Sequence, residues 1–312
     1  MPGHASQHAK QIPADLSKLT SGLALRHSSE LWPERHQPGD ASLPMLAVDN
    51  ALGRAIVSPH GAQVVSFQPV GGEEMLWLSP LTAFRAGTPI RGGIPLCLPW
   101  FGPGPDGKRM HGFARNHMWT LTGAGTTPAG ETHIVMELSG EASFCDLWPH
   151  AFAFRFDLLV GARLTLGVSV ENRSPRPAPL SFAFHTYFAV ANVADIRIGG
   201  LNGTRYLDKL DKRNPQRRKR QTGEVTISAR TDRIYLDVPR CQSLVTPAGQ
   251  THIESDARCA VVWNAWDNDR NMPDLGAGNH VGYVCIERGD VADHAVMLMP
   301  GECYRRWMIL QN

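Results

Sequence analysis

The chain has 312 residues, 42% of them apolar, enough to bury a substantial core and to exclude wholesale disorder. Lys and Arg number 31 against 29 Asp and Glu, a formal net charge of +2. That balance argues against an obligate nucleic-acid binder, which needs a strongly basic face. The opening MPGHASQHAKQ is polar and lacks the apolar core of a signal peptide. No run approaches the roughly 18 consecutive apolar residues that a membrane helix needs. Six cysteines (Cys97, Cys145, Cys241, Cys259, Cys285, Cys303) are scattered without a C-x-x-C pair, which reads as reduced thiols rather than a disulfide framework. A soluble, cytoplasmic protein is expected, with neither nucleic acid nor membrane as a partner.

Residues 1–42 differ in texture from the rest of the chain. They are polar, and Leu16, Leu19, Leu23 and Leu25 have the loose spacing of a short amphipathic helix leaning on the main body. An appended, partly helical or flexible extension is predicted there, followed by a single domain over 43–312. From Leu43 the sequence becomes short apolar runs broken by Gly, Pro, Asn and Asp: MLAVDN, GRAIVSPHG, AQVVSFQPV, EMLWLS, then THIVMELSG, FAFRFDLLVG, RLTLGVSVEN, PLSFAFHTYFAV, GEVTISA, DRIYLDV, CAVVWNAW, GYVCIERG and CYRRWMIL. Many alternate, β-branched and aromatic residues recur, and turn signals separate them at short intervals. The pattern predicts an all-β sandwich or barrel and excludes alternating βαβ units.

Two stretches stand apart. Ile90–Asn116, IRGGIPLCLPWFGPGPDGKRMHGFARN, is too dense in Pro and Gly for a helix or a central strand. It reads as short extended pieces between fixed turns, a stiff frame that could aim Arg91, His111 and Arg115 at an anionic or hydroxylated ligand. The plainer reading is a surface loop with solvated arginines. KRNPQRRKR, Lys212–Arg220, reads as a long solvated loop between two strands whose charge could steer a phosphorylated ligand.

The chain has no G-x-S-x-G elbow, Walker loop, H-E-x-x-H or Cys/His set at zinc spacing, so what remains is general acid–base chemistry. His185 sits in the apolar run LSFAFHTYF, Glu287 near the end of GYVCIERG, and Asp232 at the start of TDRIYLD. A desolvated Glu has a raised pKa that suits proton abstraction, and His titrates near neutrality. Each also has a plain alternative, a side chain satisfied within its sheet.

In these words and in this order (IRGGIPLCLPWFGP, HGFARNHMW, FHTYF, TDRIY, YVCIERG) the chain from about Leu46 to the C terminus resembles the hexose-6-phosphate mutarotases. These are glucose-6-phosphate 1-epimerases of the aldose 1-epimerase superfamily. The resemblance implies a large antiparallel β-supersandwich of the galactose mutarotase-like type, with sugar bound in a shallow groove on one sheet. It implies His185 as acid and Glu287 as base, with Arg91, His111 and Asp232 lining the site. No metal or other cofactor is expected, and the partner is a small molecule acted on by a monomer. Arg91 is the first candidate to hold a phosphate; Arg54, Arg85 and Arg115 come after it. Arg288, where the family has a small or neutral residue, is expected to point away from Glu287 by strand alternation. Rival readings are a mutarotase of unphosphorylated aldohexoses, a non-catalytic carbohydrate-binding sandwich, and a β-sandwich scaffold.

Overall fold

The computed structural model describes residues 20–36, 42–214 and 216–312. Two eight-stranded sheets and a four-stranded meander make up most of it, and every pairing between named strands is antiparallel. One large sheet runs from Arg197–Gly199 at one edge through Cys303–Gln311 and Leu164–Asn172 to Thr120–Thr126 at the other. Two of its inner strands, Phe152–Val160 and Leu164–Asn172, alternate strictly. In Phe152–Val160 the residues Phe152, Phe154, Phe156, Leu158 and Val160 are buried, while the residues between them are partly or fully exposed. A period of two places one row in the core and the other in water.

The second large sheet runs Arg218–Arg220, Arg205–Asp208, Thr231–Leu236, Cys259–Asn264, Tyr283–Asp290, Phe182–Phe184, Leu96–Cys97, with Tyr187–Ala189 also paired to Tyr283–Asp290. Tyr283–Asp290 does not alternate: all eight residues are buried. Val284 and Ile286 join the main core with Phe154 and Tyr235, whereas Cys285 lies with Tyr187, Tyr283 and Trp263 on the opposite face.

The family of folds expected from the sequence is present, and several local expectations change. Leu23 and Leu25, expected on an amphipathic helix, lie on the strand Leu23–His27, which pairs with Pro44–Asn50. The extension's helix is the four-residue Ser28–Leu31. Leu16 and Leu19 fall outside the described residues. EMLWLS forms two isolated bridges, at Leu76 and Leu78, instead of a strand. The basic run is not all loop: Arg218–Arg220 pairs with Arg205–Leu207 as an edge strand. PLSFAFHTYFAV is interrupted at His185–Thr186 between two short strands that pair with the same neighbour.

Arg288 faces the core side, opposite Ala260 and Phe184 in the pairing register, as alternation requires. It is fully buried and held by main-chain carbonyls in place of a carboxylate. Its Nη2 donates to the Ala257 oxygen at 2.6 Å, its Nη1 to the Arg240 oxygen at 2.9 Å and to the Gln242 amide oxygen, and its Nε to the Cys259 oxygen at 3.3 Å. Burial lowers its pKa to about 10, so the side chain remains a cation at neutral pH. It ties the turns at 239–240 and 255–257 to the strand that carries Glu287. Each buried acceptor left unpaired costs roughly 1–3 kcal/mol. Arg288→Leu should therefore lower stability by about 3 kcal/mol or more, measured by denaturant unfolding. A loss under about 1 kcal/mol would mean that the carbonyls find other donors.

Candidate active site

The Gly/Pro-rich frame acts on His185 through its backbone. The amide of His185 donates to the Pro95 oxygen at 2.9 Å and that of Tyr187 to the Gly93 oxygen at 2.9 Å, so the RGGIP segment grips FHTYF on either side of the break. Gly93 has φ +60°, and a β-carbon there would run into the Val64 carbonyl, so only glycine permits this approach. Further on, the amides of Phe113 and Ala114 both donate to the Leu98 oxygen, which brings HGFAR back beside the same frame. His111 sits in the left-handed region at φ +62°, a conformation that a non-glycine residue adopts only when its surroundings demand it. Here they do: its amide donates to the Gly102 oxygen at 2.7 Å, and its Nδ1 accepts from the Gly102 amide at 3.2 Å. Nδ1 is thus an acceptor. Burial, then the Arg115 and Arg91 charges, push the imidazole down to about 3. The ring is neutral with its proton on Nε2, a fixed donor.

His185 and Glu287 meet. Nε2 of His185 lies 3.4 Å from Oε1 of Glu287, and the residues are 6% and 1% exposed. His185 stacks on Tyr187 at 4.8 Å and meets His111 edge-on at 5.4 Å. Burial, reinforced by the Asp232 carboxylate, holds Glu287 well above the usual carboxylate range, against the opposing pull of Arg115. Burial, then His111, Arg91 and Arg115, holds His185 well below an ordinary histidine. Both shifts favour the uncharged forms, with the shared proton on Glu287 rather than on His185. Nδ1 of His185 and Oε2 of Glu287 have no hydrogen-bond partner among the described residues.

Asp232 shares the face of Glu287 two strands away, in register with Trp263 and through it with Cys285. Burial raises it to about 6, with Lys209 and Arg230 opposing. Arg91 projects beside Tyr187, but its fork is already engaged. Nε and Nη2 donate to Oδ2 of Asp274 at 2.8 and 2.7 Å, and Nη1 donates to the Tyr187 hydroxyl at 2.8 Å. Arg115 differs: Nη2 donates to the Met110 oxygen at 2.7 Å, Nε is buried without a partner, and no carboxylate pairs with it among the described residues. Burial is the main cause that lowers its pKa.

The remaining two arginines lie elsewhere. Arg85 is exposed at a turn where Thr88 donates to its carbonyl, and Arg54 is exposed and paired with Asp49. Sequence reasoning missed Tyr187, Trp263, Cys285 and Asp274. Tyr187 and Cys285 lay two residues from His185 and Glu287, a spacing that puts side chains on one strand face. Asp274 gave no signal, since it reaches Arg91 from an irregular segment 183 residues away.

Several known proteins share this architecture. Residues 44–311 match the family model described as aldose 1-epimerase. A protein of Cenchrus ciliaris named "Putative glucose-6-phosphate 1-epimerase" is 32% identical over 258 residues, 79% of this chain and 77% of its own. One of the same name from Escherichia coli K12 is 32% identical over 255 residues, 78% of this chain and 82% of its own. The crystal structure of "a putative mutarotase (YeaD)" from Salmonella typhimurium superposes with a TM-score of 0.79 at 28% identity, covering 94% of each chain. No helix among the described residues is long and apolar enough to cross a membrane. The chain belongs to the aldose 1-epimerase family.

Proposed function

We propose that this protein interconverts the α and β anomers of a hexose 6-phosphate, glucose 6-phosphate first among them, by acid–base ring opening and closure. The observation that carries the reading is the buried His185–Glu287 pair, 3.4 Å apart, between the frame that holds His111 and Arg115 and the strand that carries Asp232. The names of the relatives from Cenchrus ciliaris and Escherichia coli support the phosphorylated substrate.

Opening the pyranose removes a proton from the anomeric hydroxyl and delivers one to the ring oxygen. Glu287 is the base and His185 the acid, and both reverse for closure on the other face of the aldehyde. With the resting proton on Glu287, substrate binding first shifts it to His185 across the 3.4 Å between them. The ionised pair then has the charge distribution that the reaction uses. Nε2–H of His111 is a donor for a sugar oxygen, and the Asp232 carboxylate an acceptor for a sugar hydroxyl. Each step conserves one proton within the pair and needs no nucleotide, metal or covalent intermediate. Full activity is therefore expected after exhaustive dialysis against chelator, measured as anomer exchange by NMR; activity that then depends on an added divalent ion would overturn this mechanism.

Arg115 is the better phosphate ligand, with Arg91 as its neighbour. A guanidinium without a carboxylate partner has donors to give, whereas a phosphate at Arg91 has to displace Asp274 or share its fork. Charge-assisted hydrogen bonds contribute about 1.5–3 kcal/mol each, so Arg115→Ala should cut kcat/KM on glucose 6-phosphate by roughly ten- to a hundredfold. It should matter little on glucose. Arg91→Ala should lower both, because it also releases Tyr187 and Asp274. Equal losses on both sugars for Arg115→Ala would instead favour a mutarotase of free aldohexoses, a reading to which the occupied Arg91 fork lends support. His185→Ala and Glu287→Gln should each lower kcat about a hundredfold or more on either sugar. A carbohydrate-binding protein without turnover would leave exchange at the rate of buffer.

The pH profile depends on the same pair. The reactive free enzyme carries one proton on the pair, and activity is lost when His185 takes up a second or Glu287 gives up the first. His185 is lowered, so the acid limb of kcat/KM should fall well below pH 6.5, the ordinary imidazole value of about 6.5. Glu287 is raised, so the alkaline limb lies far above the usual carboxylate value of about 4.3. The measurement must be corrected for the second ionisation of the phosphate, at about pH 6. An acid limb at about 6.5 after that correction would mean a solvated His185.

A further inference from the structure

We propose that His185, Cys285 and Glu287 together form a site for a thiophilic divalent cation, Zn2+ above all, and that an ion bound there arrests catalysis. One donor atom from each of the three side chains lies within 4.8 Å of the other two, the one such group of three among the described residues. Imidazole nitrogen, thiolate sulfur and carboxylate oxygen are the donor set that zinc takes. Two such donors about 2.0–2.1 Å from a tetrahedral ion stand roughly 3.4 Å apart, and Nε2 of His185 and Oε1 of Glu287 are 3.4 Å apart.

The framework is rigid. Cys285 and Glu287 are two residues apart on one strand, so their side chains share a face, and Cys285 is in register with Tyr187, two residues from His185. Acid–base ring opening gives Cys285 no task, and packing alone would be met by a small apolar residue. Oε2 of Glu287 and Nδ1 of His185 are buried and unpartnered among the described residues, so no hydrogen bond at these atoms keeps either side chain from turning a lone pair to an ion.

Charge balances in the complex. A thiolate and a carboxylate neutralise a divalent ion, and neutral His185 adds a ligand without charge. Binding releases the thiol proton and the carboxyl proton to solvent, and the buried product carries no net charge beside Arg91 and Arg115. Three protein ligands leave a fourth position for water. The ion occupies the lone pairs that the sugar's protons need, so it competes with catalysis; the inhibitory part of the proposal rests on the acid–base function proposed for the pair.

The test uses Co2+ as a spectroscopic probe, in a Cys241→Ser/Cys303→Ser background that removes the two exposed thiols. A near-ultraviolet thiolate-to-cobalt charge-transfer band is expected, displaced by Zn2+ and abolished by Cys285→Ala, which removes the one sulfur in the group that can give it. Glu287→Gln should weaken it too, which keeps the test decisive if Cys285→Ala does not fold. In the anomer-exchange assay, free Zn2+ should inhibit the background protein, with full recovery on adding chelator, and should inhibit Cys285→Ala far less. Absence of the band, or a band indifferent to Cys285→Ala and Glu287→Gln, overturns the site. A band without Zn2+ inhibition overturns the arrest. A protein that forms the band but never exchanges anomers would keep the metal site and sink the proposed function, so the two failures are distinguishable.

Discussion

Desolvation of one strand governs much of this structure. Tyr283–Asp290 is buried along its whole length, yet it carries Glu287 and Arg288 side by side. Two adjacent ionisable groups in a low-dielectric interior would usually be paired or excluded. Alternation separates them instead: Arg288 turns to the core side and is solvated by carbonyls, and Glu287 turns to the other face, where it is kept neutral. The same rule that gives the sheet its two faces thus divides a structural cation from a neutral carboxyl group. Arg288 needs no counter-charge because several backbone dipoles replace water, and that requires the turns at 239–240 and 255–257 to close around it.

The frame at 90–116 answers a different constraint. His185 interrupts its own strand, so its orientation cannot come from a continuous ladder. The RGGIP backbone supplies it, through Pro95 and Gly93, while the returning HGFAR segment fixes His111 as a neutral donor with a known tautomer. Arg91 and Arg115 add positive charge beside both rings. Burial, then His111 and that charge, hold His185 well below an ordinary histidine, and Arg115 opposes the burial that raises Glu287. On the function proposed above, Arg115, which acts on both His185 and Glu287, would couple binding to proton redistribution.

Much of this was legible in the sequence, for identifiable reasons. Alternating runs such as FAFRFDLLV register on a sheet with one wet face, and a His or Glu within an apolar run stands out because burying it is costly. EMLWLS and GEVTISA have strand composition but find only isolated bridges, at Leu76, Leu78 and Val225, because pairing depends on a partner that sequence does not display. Arg218–Arg220 failed in the other direction. An edge strand is held by its backbone and is kept charged against aggregation, so its composition resembles a loop. Leu23 and Leu25 had helical spacing, but two positions two apart fit a strand equally well, and the neighbour at Pro44–Asn50 decided it.

The Arg91–Asp274 pair is where local sequence reasoning and geometry diverge most. Arg beside two glycines suggests a fork waiting for an anion, and the fork is in place, but a carboxylate from a distant segment already fills it. A pair this accessible, with Asp274 about two-fifths exposed, is screened and contributes little to stability. Under the function proposed above, its consequence lies in selectivity. Asp274 raises the cost of placing a phosphate at Arg91 and makes that arginine a better partner for hydroxyl groups, through the Tyr187 side chain it also holds. Arg115, with no carboxylate to displace among the described residues, is on that proposal the residue at which a charged substrate differs from a neutral one.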